Sequence, residues 1–246
     1  MLASLRIALR LLTRLPVPEP ATDAVREEAV TRSLAWYPLV GLILGGLLWG
    51  LAMLLVTANT PPWLSAALLL AAWVALTGAL HLDGLSDTAD AWLGGLGDRE
   101  RTLAIMKDPC AGPAGVVAVV LVLLLKFAAL AALAAALPPA LLLAPVLART
   151  ALMALFLTTP YVRPGGMGEA LAKAGHRLPY LLLAALALLP LAAFWPRPAL
   201  IAGVATLVMF LWHRRRLMKR LGGTTGDTAG ALVEWVETAV LVVLAF

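Results

Sequence analysis

Charge is what this chain has least of. Only 13% of its 246 residues are Asp, Glu, Lys or Arg, and it holds three histidines and a single cysteine. So little charge cannot cover a soluble globule of this length, which excludes a water-exposed fold. One cysteine, Cys110, excludes an intrachain disulfide. A β-barrel is excluded as well, because the apolar residues are unbroken runs of Leu and Ala rather than ten-residue segments of alternating character.

What remains is hydrophobic. With 62% apolar residues and a mean hydropathy of +0.92, the chain reads as a helical integral membrane protein. A span needs about 20 apolar residues, and seven runs approach that: Leu34 to Val56, Trp63 to Leu80, Pro113 to Leu137, Pro138 to Thr158, Pro179 to Trp195, Pro198 to Trp212, and Ala229 to Phe246. The sixth is short for a full crossing. Prolines at 61, 62, 138, 139, 160, 179, 196 and 198 fall at the run ends, where a missing backbone donor does least harm. The expectation is one all-α, polytopic membrane domain over residues 1–246.

Lys and Arg concentrate in cytoplasmic loops. With the N-terminus inside, the inward segments are 1–33, 81–112, 159–178 and 213–228, and they hold all 19 basic residues except Lys126, Arg149 and Arg197. Every acid but Glu234 and Glu237 is there too. The loops long enough to build a site thus face the cytoplasm of a cell bounded by this inner membrane, where Cys110 stays a reduced thiol. The net charge of +5 reflects those loops and gives no reason to expect nucleic acid. At the N-terminus Arg6, Arg10 and Arg14 recur beside a Leu2, Leu5, Leu9, Leu12 face, ended by Pro16 and Pro18. Three arginines speak against a cleavable leader, and the pattern predicts an amphipathic helix in the membrane interface or, as the alternative, a cytosolic lead-in that helps set topology.

Two inward segments carry chemistry. In the first, Asp83, Asp87 and Asp90 are spaced i, i+4, i+7, so on a helix they fall within about 60° of one another. Three acids without a Lys or Arg before Asp98 need a cation between them, and carboxylates suit Mg²⁺ with water and substrate phosphates. His81 alone, with no cysteine before Cys110, makes a poor zinc site. Downstream, Arg99, Arg101 and Lys107 could neutralise a diphosphate, and Asp108 precedes Pro109. In the second, Gly222-Gly223-Thr224-Thr225-Gly226 precedes the last span and allows either close backbone approach to a phosphate or a Thr-capped turn. Asp227 and Glu234 follow on one helix face. Segments 86–91 and 226–231 echo each other, as two helix starts delivering carboxylates to one place would. Within the spans Lys126 and Arg149 need partners, and Glu234 or Glu237 are candidates for Lys126. A third inward segment, Arg163 to Arg177, is glycine-rich.

Together His81-Leu82-Asp83-Gly84-Leu85-Ser86-Asp87-Thr88-Ala89-Asp90, Ile105-Met106-Lys107-Asp108 with Gly112 and Gly115, Gly222 through Asp227 with Gly230, Ala231 and Glu234, and the opening Leu11 to Pro18 resemble the cobalamin synthase family, the adenosylcobinamide-GDP ribazoletransferases. The match departs at Ser86, Ala91 and Cys110. The resemblance implies that a ribose hydroxyl of α-ribazole, or of its 5′-phosphate, attacks the cobinamide-proximal phosphorus of adenosylcobinamide-GDP. GMP leaves, and adenosylcobalamin or its 5′-phosphate forms. It implies Mg²⁺ on Asp83, Asp87 and Asp90, joined by Asp227, and phosphate stabilisation by Lys107. Gly222, Gly223, Thr225 and Gly226 would contact the guanosine diphosphate beside Arg99, Arg101, Asp108 and Glu234. His81 or a non-ligating Asp such as Asp90 would be the base. Beyond the lipid bilayer, docking to other corrinoid-pathway enzymes is a further partner expectation.

Two alternatives stand beside it. A CDP-alcohol phosphotransferase also uses a membrane motif of spaced aspartates beginning Asp-Gly, but it requires Ala-Arg where this chain has Asp87-Thr88. A transporter would place its charges near the bilayer midplane on broken helices in two mirrored halves, whereas most acids here gather at one surface.

Overall fold

The computed structural model describes residues 2–19, 27–133, 137–166, 168–173 and 178–246. His176 and Arg177, at the end of the third inward segment, and residues 134–136 of the third run lie outside them. The described residues form α1 (Leu2–Leu12), α2 (Glu27–Ser33), α3 (Tyr37–Thr57), α4 (Pro62–Thr77), α5 (Leu80–Gly94), α6 (Arg99–Ile105), α7 (Pro113–Leu133), α8 (Leu137–Thr158), α9 (Gly168–Ala172), α10 (Leu178–Phe194), α11 (Pro196–Arg220) and α12 (Gly226–Ala245). No strand is present among them, only an isolated bridge between Tyr161 and Thr224.

Helices α8 and α12 are the inside of the bundle. Most of α8 is buried, packed between α3 and α12, while α12 also touches α5, α7 and α11. Gly41 and Gly45 bring α3 onto α8: a Cβ at either would lie 2.6 Å from the carbonyl oxygen of Pro145 or Leu141. Small residues set such close approaches in membrane bundles. The outer helices invert a soluble protein's pattern. Leu47 and Leu54 on α3, Val117 and Leu121 on α7, Leu182 and Leu186 on α10, and Leu200 and Leu207 on α11 are exposed. An apolar exterior around a packed apolar core requires lipid as its solvent.

Among the described residues four continuous helical segments are long and apolar enough to cross a membrane: Glu27–Thr57, Pro113–Leu133, Pro138–Thr158 and Gly226–Ala245. Helix α4 has 16 residues and meets the criterion only together with α5, from which it is bent by 87°. The break is the pair Gly78 (φ 62°) and Ala79 (φ 56°), both left-handed. Ala79 accepts a conformation in which its Cβ is crowded. This bend sets α5, with its three aspartates, roughly perpendicular to α4.

Seven apolar runs in the sequence thus become four such segments, or five with the broken pair. Helix α10 is apolar but has 17 residues. The sixth run lies within α11, a 25-residue helix whose added length is the basic end to Arg220, and α11 is not among the segments long and apolar enough to cross. The N-terminal helix is present, with Ile7, Ala8 and Leu12 buried. Beyond it, the Arg14 amide donates to Leu76 O at 2.7 Å, beside the α4–α5 break.

Candidate functional site

The acidic segment is a helix, and its three aspartates part company. α5 turns Leu82 and Leu85 into a small apolar cluster with Val122 and Ala231. Gly84 presses on α12, where a Cβ would stand 2.6 Å from Asp227 O. That contact sets Asp83 beside the first turn of α12. His81, Asp83, Gly84, Gly226, Asp227 and Gly230 line one cavity of about 210 Å³. Asp87 lies next to it, half-buried, and its carboxyl is pushed up to about 6 by burial and then by the charges of Asp83, Asp227 and Asp90, against the pull of Arg163.

Asp90 turns the other way. Its carboxylate accepts the amide of Gly112 at 2.7 Å and that of Gly115 at 2.9 Å. It therefore caps α7 and fastens that helix to α5, the use that orphan amides at a helix start make of an acid. Both its oxygens are engaged, unlike those of Asp83 and Asp87.

The second segment is an ordered turn. Thr224 N donates to Pro160 O and Val162 N to Thr224 O, and Thr225 caps α12 in a reciprocal pair with Thr228. Gly223 is buried against Pro160, whereas Gly222 (φ 74°) and Gly226 are open. Of the glycines expected at phosphate, only Gly226 lines the cavity. Asp227 sits in the first turn of α12 as expected of a helix start, while its sequence echo Asp87 lies within α5.

The basic residues divide likewise. Lys107 is exposed beside a cleft of about 90 Å³ that it shares with Arg163 and Thr225. Arg99 donates through Nε to Leu221 O at 2.8 Å, bracing the turn before α12. Arg101 is exposed, its amide donating to Asp98 at the start of α6, and Asp108 accepts from the Cys110 amide in a turn. Glu234 lies in the core: Lys126 Nζ is 2.6 Å from both Glu234 and Glu237, and Arg149 pairs with Glu237. Both partners expected for Lys126 are thus engaged at once.

Arg163 is the residue the sequence reading did not single out. Its Nη1 donates to Asp227 Oδ2 at 2.8 Å, placing a guanidinium at the acidic cavity from a loop more than sixty positions away. The only signal was its membership in the glycine-rich inward segment. His81 is buried on the cavity wall, and its Nε2 has no partner among the described residues.

Among the described residues no three His, Cys, Asp or Glu converge at metal-ligand distance. Mg²⁺ does not require that, because it is commonly held by one or two carboxylates, water and substrate phosphate. The donors fit. Asp83 and Asp87 offer carboxylate oxygens with no hydrogen-bond or ion-pair partner among the described residues, and their crowding with Asp227 is the repulsion a divalent ion would relieve. Asp90 gives each oxygen to one backbone amide, and a carboxylate so bonded keeps a lone pair on each oxygen for a cation.

A helical membrane protein with acids, an arginine and an open glycine around one cavity belongs to the class that handles charged, oxygen-rich substrates. The chain belongs to the cobalamin-5-phosphate synthase family, whose model matches residues 4–245. It is similar to proteins named adenosylcobinamide-GDP ribazoletransferase: 59% identical to that of Pseudomonas paraeruginosa (99% of this chain, 98% of the relative), 58% to that of Stutzerimonas stutzeri (98% and 97%), and 56% to that of Ectopseudomonas mendocina (98% and 97%). No solved structure matches it. Membership over nearly the whole chain disfavours the phosphotransferase and transporter alternatives.

Proposed function

We propose that this chain is an Mg²⁺-dependent adenosylcobinamide-GDP ribazoletransferase of the late nucleotide-loop step of cobalamin biosynthesis. The observation that carries the reading is the meeting of Asp83 and Asp227 at one cavity, with Asp87 close enough to feel both charges and Arg163 paired to Asp227, in a chain of that family. Asp83 and Asp87 would hold Mg²⁺ beside Asp227, and the ion would supply charge neutralisation for the phosphates as GMP departs. Arg163 and Lys107 stand where they would take the remaining phosphate oxygens. The open backbone at Gly226 admits the diphosphate, and His81 Nε2 accepts the ribose proton. Asp90 keeps α7 and α5 together.

The site faces the cytoplasm, in a multi-pass inner-membrane protein with seven crossings once α4, α10 and α11 are counted and with α1 in the interface. The support is the placement of the basic residues and the apolar outer faces of α10 and α11. Exposed Cys110 reports the orientation. A membrane-impermeant maleimide labels it in inverted vesicles only, and labelling from the outer side overturns the assignment.

The test of function is incubation of purified protein with adenosylcobinamide-GDP, α-ribazole and Mg²⁺, following GMP. No GMP with any divalent metal overturns it. Asp83→Asn and Asp87→Asn in folded protein are expected to lose Mg²⁺ affinity and activity, and near-normal values for both remove the metal assignment.

A further inference from the structure

Helices α7 and α11 both pack on α12 yet make almost no contact with each other. Between them lies a hollow of about 460 Å³, more than twice the acidic cavity. Its walls are apolar: Leu85, Val117, Leu121 and Leu125, with Trp92 and Trp235 at its sides. It opens on the face where Val117, Leu121 and Leu125 are exposed to the surroundings of the bundle. A second hollow of about 350 Å³, walled by Val208 and Leu211, lies against α11. The two share Trp212 and Arg216.

The end of α11 at these hollows is cationic. Arg215, Arg216 and Lys219 are exposed, and among the described residues none has a carboxylate within ion-pair distance. Arg216 lies over the Trp212 ring at 5.4 Å. A tryptophan marks the headgroup level of a bilayer, and basic pockets between helices take anionic headgroups.

We propose that this wedge binds one anionic diacyl phospholipid. Its phosphate sits against Arg216 and Lys219, and its two chains lie in the hollows on either side of Trp212. Two hollows that share Trp212 and Arg216, the larger apolar and the smaller lined by Val208 and Leu211 beside Arg215, Arg216 and Lys219, match two chains joined at one phosphate, and the unpaired cations select an acidic headgroup over a zwitterionic one. The site lies one turn from the functional loop. Arg220 donates to Thr102 and to Trp92 O, and Arg99 holds Leu221 O, so a lipid seated here braces the turn that carries Gly222 and Thr225. This inference stands on the membrane character of the fold and not on the reaction.

The experiment is native mass spectrometry and thermal melting of the delipidated full chain, titrated with phosphatidylglycerol or phosphatidylcholine. Wild type is expected to retain one phosphatidylglycerol and to melt higher with it than with phosphatidylcholine. Arg216→Gln and Lys219→Gln each lower that affinity about fivefold, while Arg32→Gln, on α2 away from the wedge, does not. Ala118→Phe, which fills the larger hollow and leaves the cations in place, also lowers it. Equal binding of both lipids, no phosphatidylglycerol bound by wild type, or a dimer cross-linked through α7 and α11 overturns the proposal. GMP release is measured separately, so lipid binding can fail with transfer intact, and the reverse.

Discussion

Gly84 and Asp227 meet backbone to backbone, with the place of a Gly84 Cβ only 2.6 Å from the Asp227 carbonyl oxygen. Helix α5 can approach the start of α12 no closer, and this approach makes one cavity of two segments far apart in sequence. Gly84→Ala must push the helices apart. Overpacking of this kind costs about 1–3 kcal/mol, and a displacement near 1 Å at reacting groups lowers rate about 10²-fold. Gly203→Ala, on α11 with nothing within 4 Å of its Cβ, is the matched control and should keep both stability and activity. Melting temperature and GMP release on the two variants check this. A fully active Gly84→Ala shows that the contact does not set the site.

Asp90 offers a sharper separation of roles. Because its carboxylate accepts from Gly112 and Gly115, Asp90→Ala leaves two amides at the start of α7 without their acceptor. The expected loss is about 1–3 kcal/mol. Asp90→Asn keeps one good acceptor and should fall between wild type and Ala in both melting temperature and activity. A ligand or base behaves otherwise. If Asp90→Asn melts like wild type yet releases no GMP, Asp90 acts on metal or substrate.

The parting of Asp90 from Asp83 and Asp87 shows where sequence stops informing. Helical spacing correctly put all three on one face of α5, but a 60° arc is wide enough to serve two neighbours. Which neighbour stands where depends on the turn at Gly78 and Ala79, and a left-handed alanine has no sequence signature. The glycine-threonine segment was legible as a helix start with an acid. Its pairing through the Thr224 amide to Pro160 O and the Thr224 carbonyl to Val162 N was not, because that depends on another loop arriving beside it. Arg163 was hidden for the same reason. The pairing of Lys126 with Glu234 and Glu237 could be anticipated, since a buried ammonium in a membrane leaves few partners. The direction α5 takes from α4 could not, because hydropathy does not register an 87° break.

Asp87 makes the site sensitive to pH when no cation is present. Its carboxyl titrates at about 6 in the fold against an ordinary 3.8, so the folded state holds the proton more tightly. The sign follows: protonation of Asp87 stabilises the fold below pH 3.8, and that contribution is lost as pH rises through about 6. Asp87→Asn, neutral throughout, should therefore melt above wild type at about pH 8 in chelator and match it at about pH 4. Added Mg²⁺ at the higher pH should raise wild type and leave Asp87→Asn unmoved. A variant that melts below wild type at the higher pH in chelator means that the carboxylate is already compensated by protein charge.

The buried network tests whether Glu234 belongs to the core or to the substrate. Lys126 and Arg149 balance Glu234 and Glu237 in a region almost without solvent, so removing one partner strands a charge there. Glu234→Gln leaves the pair of cations against Glu237 alone, and the expected loss is about 3–5 kcal/mol. Lys126→Met should cost a similar amount by stranding the opposite sign. Combining the two leaves Arg149 with Glu237, one ion pair and no excess, and should recover most of the melting temperature. Activity is the discriminating measurement. If Glu234 acts through the core, GMP release recovers in the double variant along with stability, because α12 returns Asp227 to its place. If the double variant melts like wild type and stays inactive, Glu234 touches the substrate, and the cavity extends further into the bundle than its walls at His81 and Gly230.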